Sequence, residues 1–240
     1  MAQTRYTKAP ITEAVVDFKF NTNSEVKLDD LYALKDLLSD YPVTSKQIEN
    51  QFLVDASDNS NVKLDRQEVG LRCVHKNKKF ILQLRPKSFT LSRLAPYENW
   101  ESLRDEALKT WTLFRNIVKP IEIHRTALRF INRFDIPGDS VELEEYFTIY
   151  PATPKNMNLN GIVLQLLVPQ NEIQSELVLN QALVPAQFDN HISVMLDLDL
   201  FNQVPKNSDK ELWDFLEVLH NQKNSIFEQL ITEKARELIR

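Results

Sequence analysis

Cysteine, glycine and long apolar runs are what this chain has least of, and each shortage removes a class of protein. Cys73 is the single cysteine among 240 residues, which excludes a disulfide framework and any cysteine-built zinc or iron–sulfur centre. Gly70, Gly138 and Gly161 are the only glycines. A loop that cradles phosphate with backbone N–H groups needs them clustered, so nucleotide-binding folds of that kind are excluded. The densest apolar stretch, 161–168, is interrupted by Gln165 and is far too short to cross a bilayer. The opening ten residues hold no apolar signal segment. A soluble, cytoplasmic protein without a membrane partner is expected, and no motif asks for a cofactor.

What is present is a globular balance of 42% hydrophobic and 26% charged residues, on a chain long enough to bury a core unaided. The net charge of −5 hides segregation. Residues 61–133 carry 16 Lys/Arg against 7 Asp/Glu, whereas residues 134–240 carry 7 against 17. Either the two regions fold together and neutralise, or a basic surface attracts an anionic partner.

Hydrophobic spacing predicts an alternating strand over 11–20, then a helix through Leu28, Leu31, Leu34, Leu37 and Leu38 that Pro42 stops. Four strands follow at 47–56, 68–75, 79–85 and 88–94, then a helix over 98–118 closed by Pro120. The order then repeats: a long strand over 121–136, a short helix at 141–147, and strands at 159–168, 173–182 and 191–201. A helical region from Asp209 to the end follows, as one bent helix or two. The expectation is a single α+β domain over 1–240, a curved antiparallel sheet with helices packed on one face. Its pseudo-duplicated halves, 11–119 and 120–240, each read strand, helix, strands, helix. That order is like the TATA-box-binding-protein superfold, an analogy of fold that carries no function.

Several local patterns carry a family resemblance. They are Tyr6 with Ala9-Pro10-Ile11 and Glu13-Ala14, Tyr97-Glu98-Asn99-Trp100, the block 125–133 (RTALRFINR), Leu196-Asp197-Leu198-Asp199, and Leu219-His220 with Phe227 and Ile231-Thr232. Together they resemble a sporadically distributed family of uncharacterised prokaryotic proteins of about this length. The resemblance implies a stand-alone accessory protein and brings no catalytic residues with it.

Candidate chemistry is sparse. His75, His124, His191 and His220 have no spacing that sets two ligands on one metal, and Cys73 alternates with Leu71 as a buried, inert thiol would. Asp197 and Asp199 share one face of a strand, a weak metal or acid–base candidate, or simply a polar strand face. The strongest constellation is basic. Arg125, Arg129 and Arg133 fall on one strand face about 13 Å apart at four-residue spacing, opposite Leu128, Phe130, Phe134 and Ile136. Arg85, Lys87 and Arg93 share a parity that extends this face if no bulge intervenes at Pro86. Such a face binds phosphates or a partner, or pairs internally with Asp197, Asp199 and the Glu142-Glu144-Glu145 cluster. Segment 220–224 reads as exposed. Packing of the C-terminal helical stripe on its own sheet is the default, but since Trp213, Phe215 and Phe227 cannot share one narrow face, part of it could instead serve a twofold dimer. The leading expectation is a non-enzymatic accessory protein acting through a protein partner or a homodimer. Nucleic-acid binding on the arginine face and a metal-dependent enzyme using Asp197 and Asp199 are the alternatives.

Overall fold

The computed structural model describes residues 6–54, 62–152, 154 and 160–240. The elements run β1 (Ile11–Thr22), α1 (Leu28–Tyr32), β2 (Val43–Val54), β3 (Val62–Val74), β4 (Phe80–Arg85), β5 (Ser88–Leu94) and α2 (Trp100–Val118). They continue β6 (Pro120–Pro137), β7 (Val163–Gln170), β8 (Ser175–Val184), β9 (His191–Asn202), α3 (Asp209–Leu230) and α4 (Glu233–Ile239). The nine strands form one sheet in the order β2-β3-β4-β5-β1-β6-β9-β8-β7, and every pairing is antiparallel. The fold is α+β, as expected. Ala56 and Leu159, assigned from the sequence to strand ends, lie outside the described residues.

Alternation decides which side of each strand is buried. Ala14, Val16, Phe18 and Phe20 of β1, Leu128, Phe130, Phe134 and Ile136 of β6, and Val194, Leu196, Leu198 and Leu200 of β9 enter a single core with the inner sides of α1–α4. Phe18 is at its centre, with ring centroids 5.6 Å from Phe89, 5.1 Å from Trp111 and 5.8 Å from Trp213. Among the described residues no helix packs on the other side of the sheet. That open face carries the odd-numbered residues of β1 from Glu13 to Lys19, of β6 from Arg125 onwards and of β9, while register shifts turn Ile11 and Ile123 to the core.

Caps set the helix limits. Asn99 Oδ1 accepts from the Ser102 N–H at 2.8 Å and starts α2 two residues later than the spacing suggests. Lys119, at φ +48°, ends it before Pro120. The C-terminal region is two helices: Ile231 turns extended to bridge Phe147, and Thr232 Oγ1 caps α4. The leucine run 28–38 gives one helical turn and a 3-10 turn rather than a long helix. The tighter path lets Leu38 and Tyr41 reach the core, where the Tyr41 hydroxyl donates to Glu106 at 2.9 Å. Segment 141–147 is likewise only a 3-10 turn, Leu143–Glu145. At Gly70 the strands approach so closely that a Cβ would lie 2.2 Å from the Leu84 carbonyl oxygen. No described helix is long and apolar enough to cross a membrane.

Candidate functional site

The arginine ladder lies at the centre of the open face, on β6 between β1 and β9. An aspartate lies beside each guanidinium, brought by strand register to Arg125 and Arg129 and by β6 itself to Arg133. Arg125 Nη1 donates to Asp17 Oδ1 of β1 at 2.6 Å and Nη2 to Asp199 Oδ2 of β9 at 3.4 Å, while its guanidinium rides 4.8 Å over the Phe201 ring. Arg129 grips Asp197 with two parallel bonds, Nε to Oδ1 at 2.8 Å and Nη2 to Oδ2 at 2.7 Å. Arg133 Nε donates to Asp135 Oδ1 at 2.8 Å, and its Nη2 donates to Ser193 Oγ and to the Pro185 carbonyl. These contacts extend outwards. Thr90 of β5 donates to Asp17, Asn180 of β8 donates to Asp197 at 3.0 Å, and Gln165 of β7 donates to Asn180 at 2.7 Å. Polar bonds thus tie six strands from β5 to β7.

The aspartates differ in their surroundings. Asp197 is 1% exposed beneath an Arg129 side chain that is 44% exposed, so the guanidinium acts as a lid over a buried carboxylate. Its bonds to Asp197 raise the Arg129 pKa. Burial raises the pKa of Asp199 even though Arg125 and Arg129 pull it down. Both carboxylates are thus engaged by arginine. Among the described residues no group of three or more His, Cys, Asp or Glu is placed to hold a metal, and the paired-aspartate metal reading gains no third ligand.

Of Arg85, Lys87 and Arg93, only Arg85 shares the ladder's face, where β5 and β1 separate it from β6 and it is bonded to Glu49 and Gln47. Arg85 pairs with Ser88 across a two-residue turn, Pro86-Lys87, and the β4–β5 register sums to an odd number, which swaps parity between the strands. The open face therefore carries odd residues on β4 and even ones on β5. Arg93 turns into the core, 2% exposed, with Nη2 on Glu98 at 2.8 Å and the guanidinium over Phe80. Lys87 lines a cleft of about 1040 Å³ with Lys19, Lys27 and Arg85, but Glu25 and Asp29 line it too. The glutamates expected beneath the ladder are elsewhere: Glu145 pairs with Lys234 of α4, and Glu144 accepts from Tyr150.

The covered face holds titratable groups that the sequence reading missed. Segment 220–224 is exposed only in part: Asn221 faces solvent and Gln222 and Asn224 are half-buried, but His220 and Lys223 are buried in α3. The His220 ring stacks on Trp100 at 4.4 Å, and burial pushes its pKa down to about 3. Lys223 Nζ sits 3.8 Å over the Phe130 ring, and burial pushes its pKa down to about 7. The signal was present, since Leu216, Leu219, His220, Lys223 and Phe227 follow helical spacing on one face. Trp213, Phe215 and Phe227 all find partners within the chain, in Phe18, Lys206 and Tyr6, which is the packing of the helix on its own core. Cys73 is buried, and desolvation raises its pKa, as befits an inert thiol.

No family model matches the chain, and no curated protein matches it significantly.

Proposed function

We propose that the protein is a non-enzymatic, cytoplasmic accessory protein of the sporadically distributed prokaryotic family it resembles, acting through protein–protein contacts on the open face of its sheet. The observation that carries this reading is the state of that face. No described helix covers it, its arginines and aspartates satisfy one another, and half-buried Val15, Ile131, Val178, Met195 and Phe201 stand among them. Apolar groups between neutralised charges suit a folded polypeptide. The three ladder arginines, already committed to carboxylates, are poorly placed to hold a polyanion, which binds through free cations.

Two further features support the same reading. Patterns that carry the family resemblance meet in space, with Tyr97 at 5.6 Å and His220 at 6.4 Å from Phe130, and His220 stacked on Trp100. The strand order favours two architectural copies in the manner of the TATA-box-binding-protein saddle. β1 and β6 lie side by side, and the last strand following each, β5 and β9, returns to its outer edge.

Affinity capture from the native host tests the function, using wild type beside Met195→Lys. A stoichiometric second chain, retained by wild type and lost with Met195→Lys, is expected. Recovery of this chain alone, or of the same partner with both, would overturn it. Mobility shift on duplex DNA and RNA across a salt series is expected to show no binding. A low-salt shift abolished by alanine at Arg125, Arg129 and Arg133 would put the polyanion reading in its place.

A further inference from the structure

The two edges of the sheet are built differently. β2 carries Lys46 and Glu49 and a register shift between Gln47 and Ile48, devices that discourage another strand from adding on. β7 has neither. From Gly161 to Asn171 there is no charged residue, the β7–β8 register runs without a shift, and Val163 and Leu167 are 88% and 70% exposed.

The backbone pattern of β7 is equally specific. The Leu183 N–H donates to the Ile162 carbonyl at 3.2 Å, and Val163 stands opposite Ala182. Hydrogen-bonded positions alternate along an antiparallel pair. Leu164, Leu166 and Val168 therefore turn their backbone groups towards β8, while Val163, Gln165, Leu167 and Pro169 turn theirs to an edge that no described strand occupies. Pro169, which has no N–H to offer, falls among these outward positions at the end of the strand, where an edge tolerates it.

We propose that this edge is the contact between two copies of the chain, with β7 pairing antiparallel to itself about a twofold axis at Gln165. In that register Gln165 faces Gln165 of the second copy, and Val163 faces Leu167 in both directions. All three are outward positions, so each exchanges both its N–H and its C=O across the axis. The side chains that meet are apolar or neutral, and no like charges oppose one another, as an isologous contact requires. Gln165 Nε2 is already held by Asn180 of β8 at 2.7 Å, which links the axis to the polar bonds of the open face. A second copy fits this strand because its outward pattern reads the same in both directions. The contact does not depend on the function proposed above, whose test uses a residue of β9.

Sedimentation equilibrium at micromolar protein tests it, with Leu167→Glu, Val163→Lys and the double variant. Wild type is expected to be a concentration-dependent dimer. Each single change is expected to raise the dissociation constant at least about tenfold, a loss of about 1.4 kcal/mol. The double variant sets opposite charges across the axis and is expected to recover most of the loss. A wild type that stays monomeric would overturn the proposal, even if another protein binds this edge. So would a dimer indifferent to Leu167→Glu, or a double variant no better than the singles. Amide exchange on wild type needs no substitution. The N–H groups of Val163, Gln165 and Leu167 are expected to gain protection as concentration rises, and rates independent of concentration would contradict the pairing.

Discussion

The two faces of the sheet handle charge in opposite ways. On the open face, near water, each ladder arginine has a carboxylate from its own or a neighbouring strand. On the covered face, away from water, His220 and Lys223 sit against Trp100 and Phe130. Glu228, whose charge favours protonated Lys223, is already bonded to Tyr6 and Arg236. The contrast separates two tasks. Aromatic and aliphatic packing on the covered face supplies the stability and absorbs the burden of two buried bases. The ion pairs of the open face define register, because Arg129 can grip Asp197 with both nitrogens in only one alignment of β6 on β9.

The largest effect is therefore expected on the covered face. Phe18→Ala removes a ring that touches Phe89, Trp111 and Trp213, and should cost about 3–5 kcal/mol in chemical denaturation. A loss under about 1 kcal/mol would show that the core is not centred there.

Lys223→Met should instead stabilise. The unfolded chain keeps this proton to about pH 10.4, while the fold keeps it only to about 7. Between those values the unfolded state binds more protons, so Lys223 makes stability rise with pH across this window. Its burial cost is fully present below about pH 7. Methionine should raise stability at pH 7 by about 1–3 kcal/mol and remove that part of the slope. A slope between pH 7 and 10 that Lys223→Met leaves unchanged would contradict the buried-amine account. His220, whose pKa is pushed to about 3, should make stability fall as pH drops below about 6.5, the ordinary value for histidine.

Asp199→Asn sharpens the comparison at its smallest scale. Burial raises the Asp199 pKa despite Arg125 and Arg129, so its ion pairing does not outweigh its desolvation, and Arg125 keeps Asp17 as a partner at 2.6 Å. The melting midpoint should shift by no more than the equivalent of about 0.5 kcal/mol. A large loss would make Asp199 a principal partner of the ladder.

Much of this was legible from alternation. β6 shows its faces directly, with Arg125, Arg129 and Arg133 on one side and Leu128, Phe130 and Phe134 on the other, and Asp197 and Asp199 read as sharing a face. What single-strand alternation omits is register. Only the β6–β9 alignment puts Arg129 beside Asp197, and only the odd register sum across Pro86-Lys87 sends Arg93 inwards. His220 and Lys223 were missed because a polar residue type was given more weight than its helical position. The short first helix was missed because leucine spacing does not register the tertiary pull on Leu38 and Tyr41.

A double-mutant cycle on Arg129 and Asp197 tests the central claim most directly, namely that the arginine ladder is scaffold already bound to its own carboxylates. Arg129→Ala uncovers a carboxylate that is 1% exposed and keeps only Asn180 as a bonded partner. It should cost about 2–3 kcal/mol, less than for a fully buried pair because the arginine is itself half in water. In an Asp197→Asn background the same change should cost much less, giving a coupling of about 1.5 kcal/mol or more. A denaturation midpoint for Arg129→Ala equal to wild type, with no coupling to Asp197, would contradict the account and leave the guanidinium free for a partner.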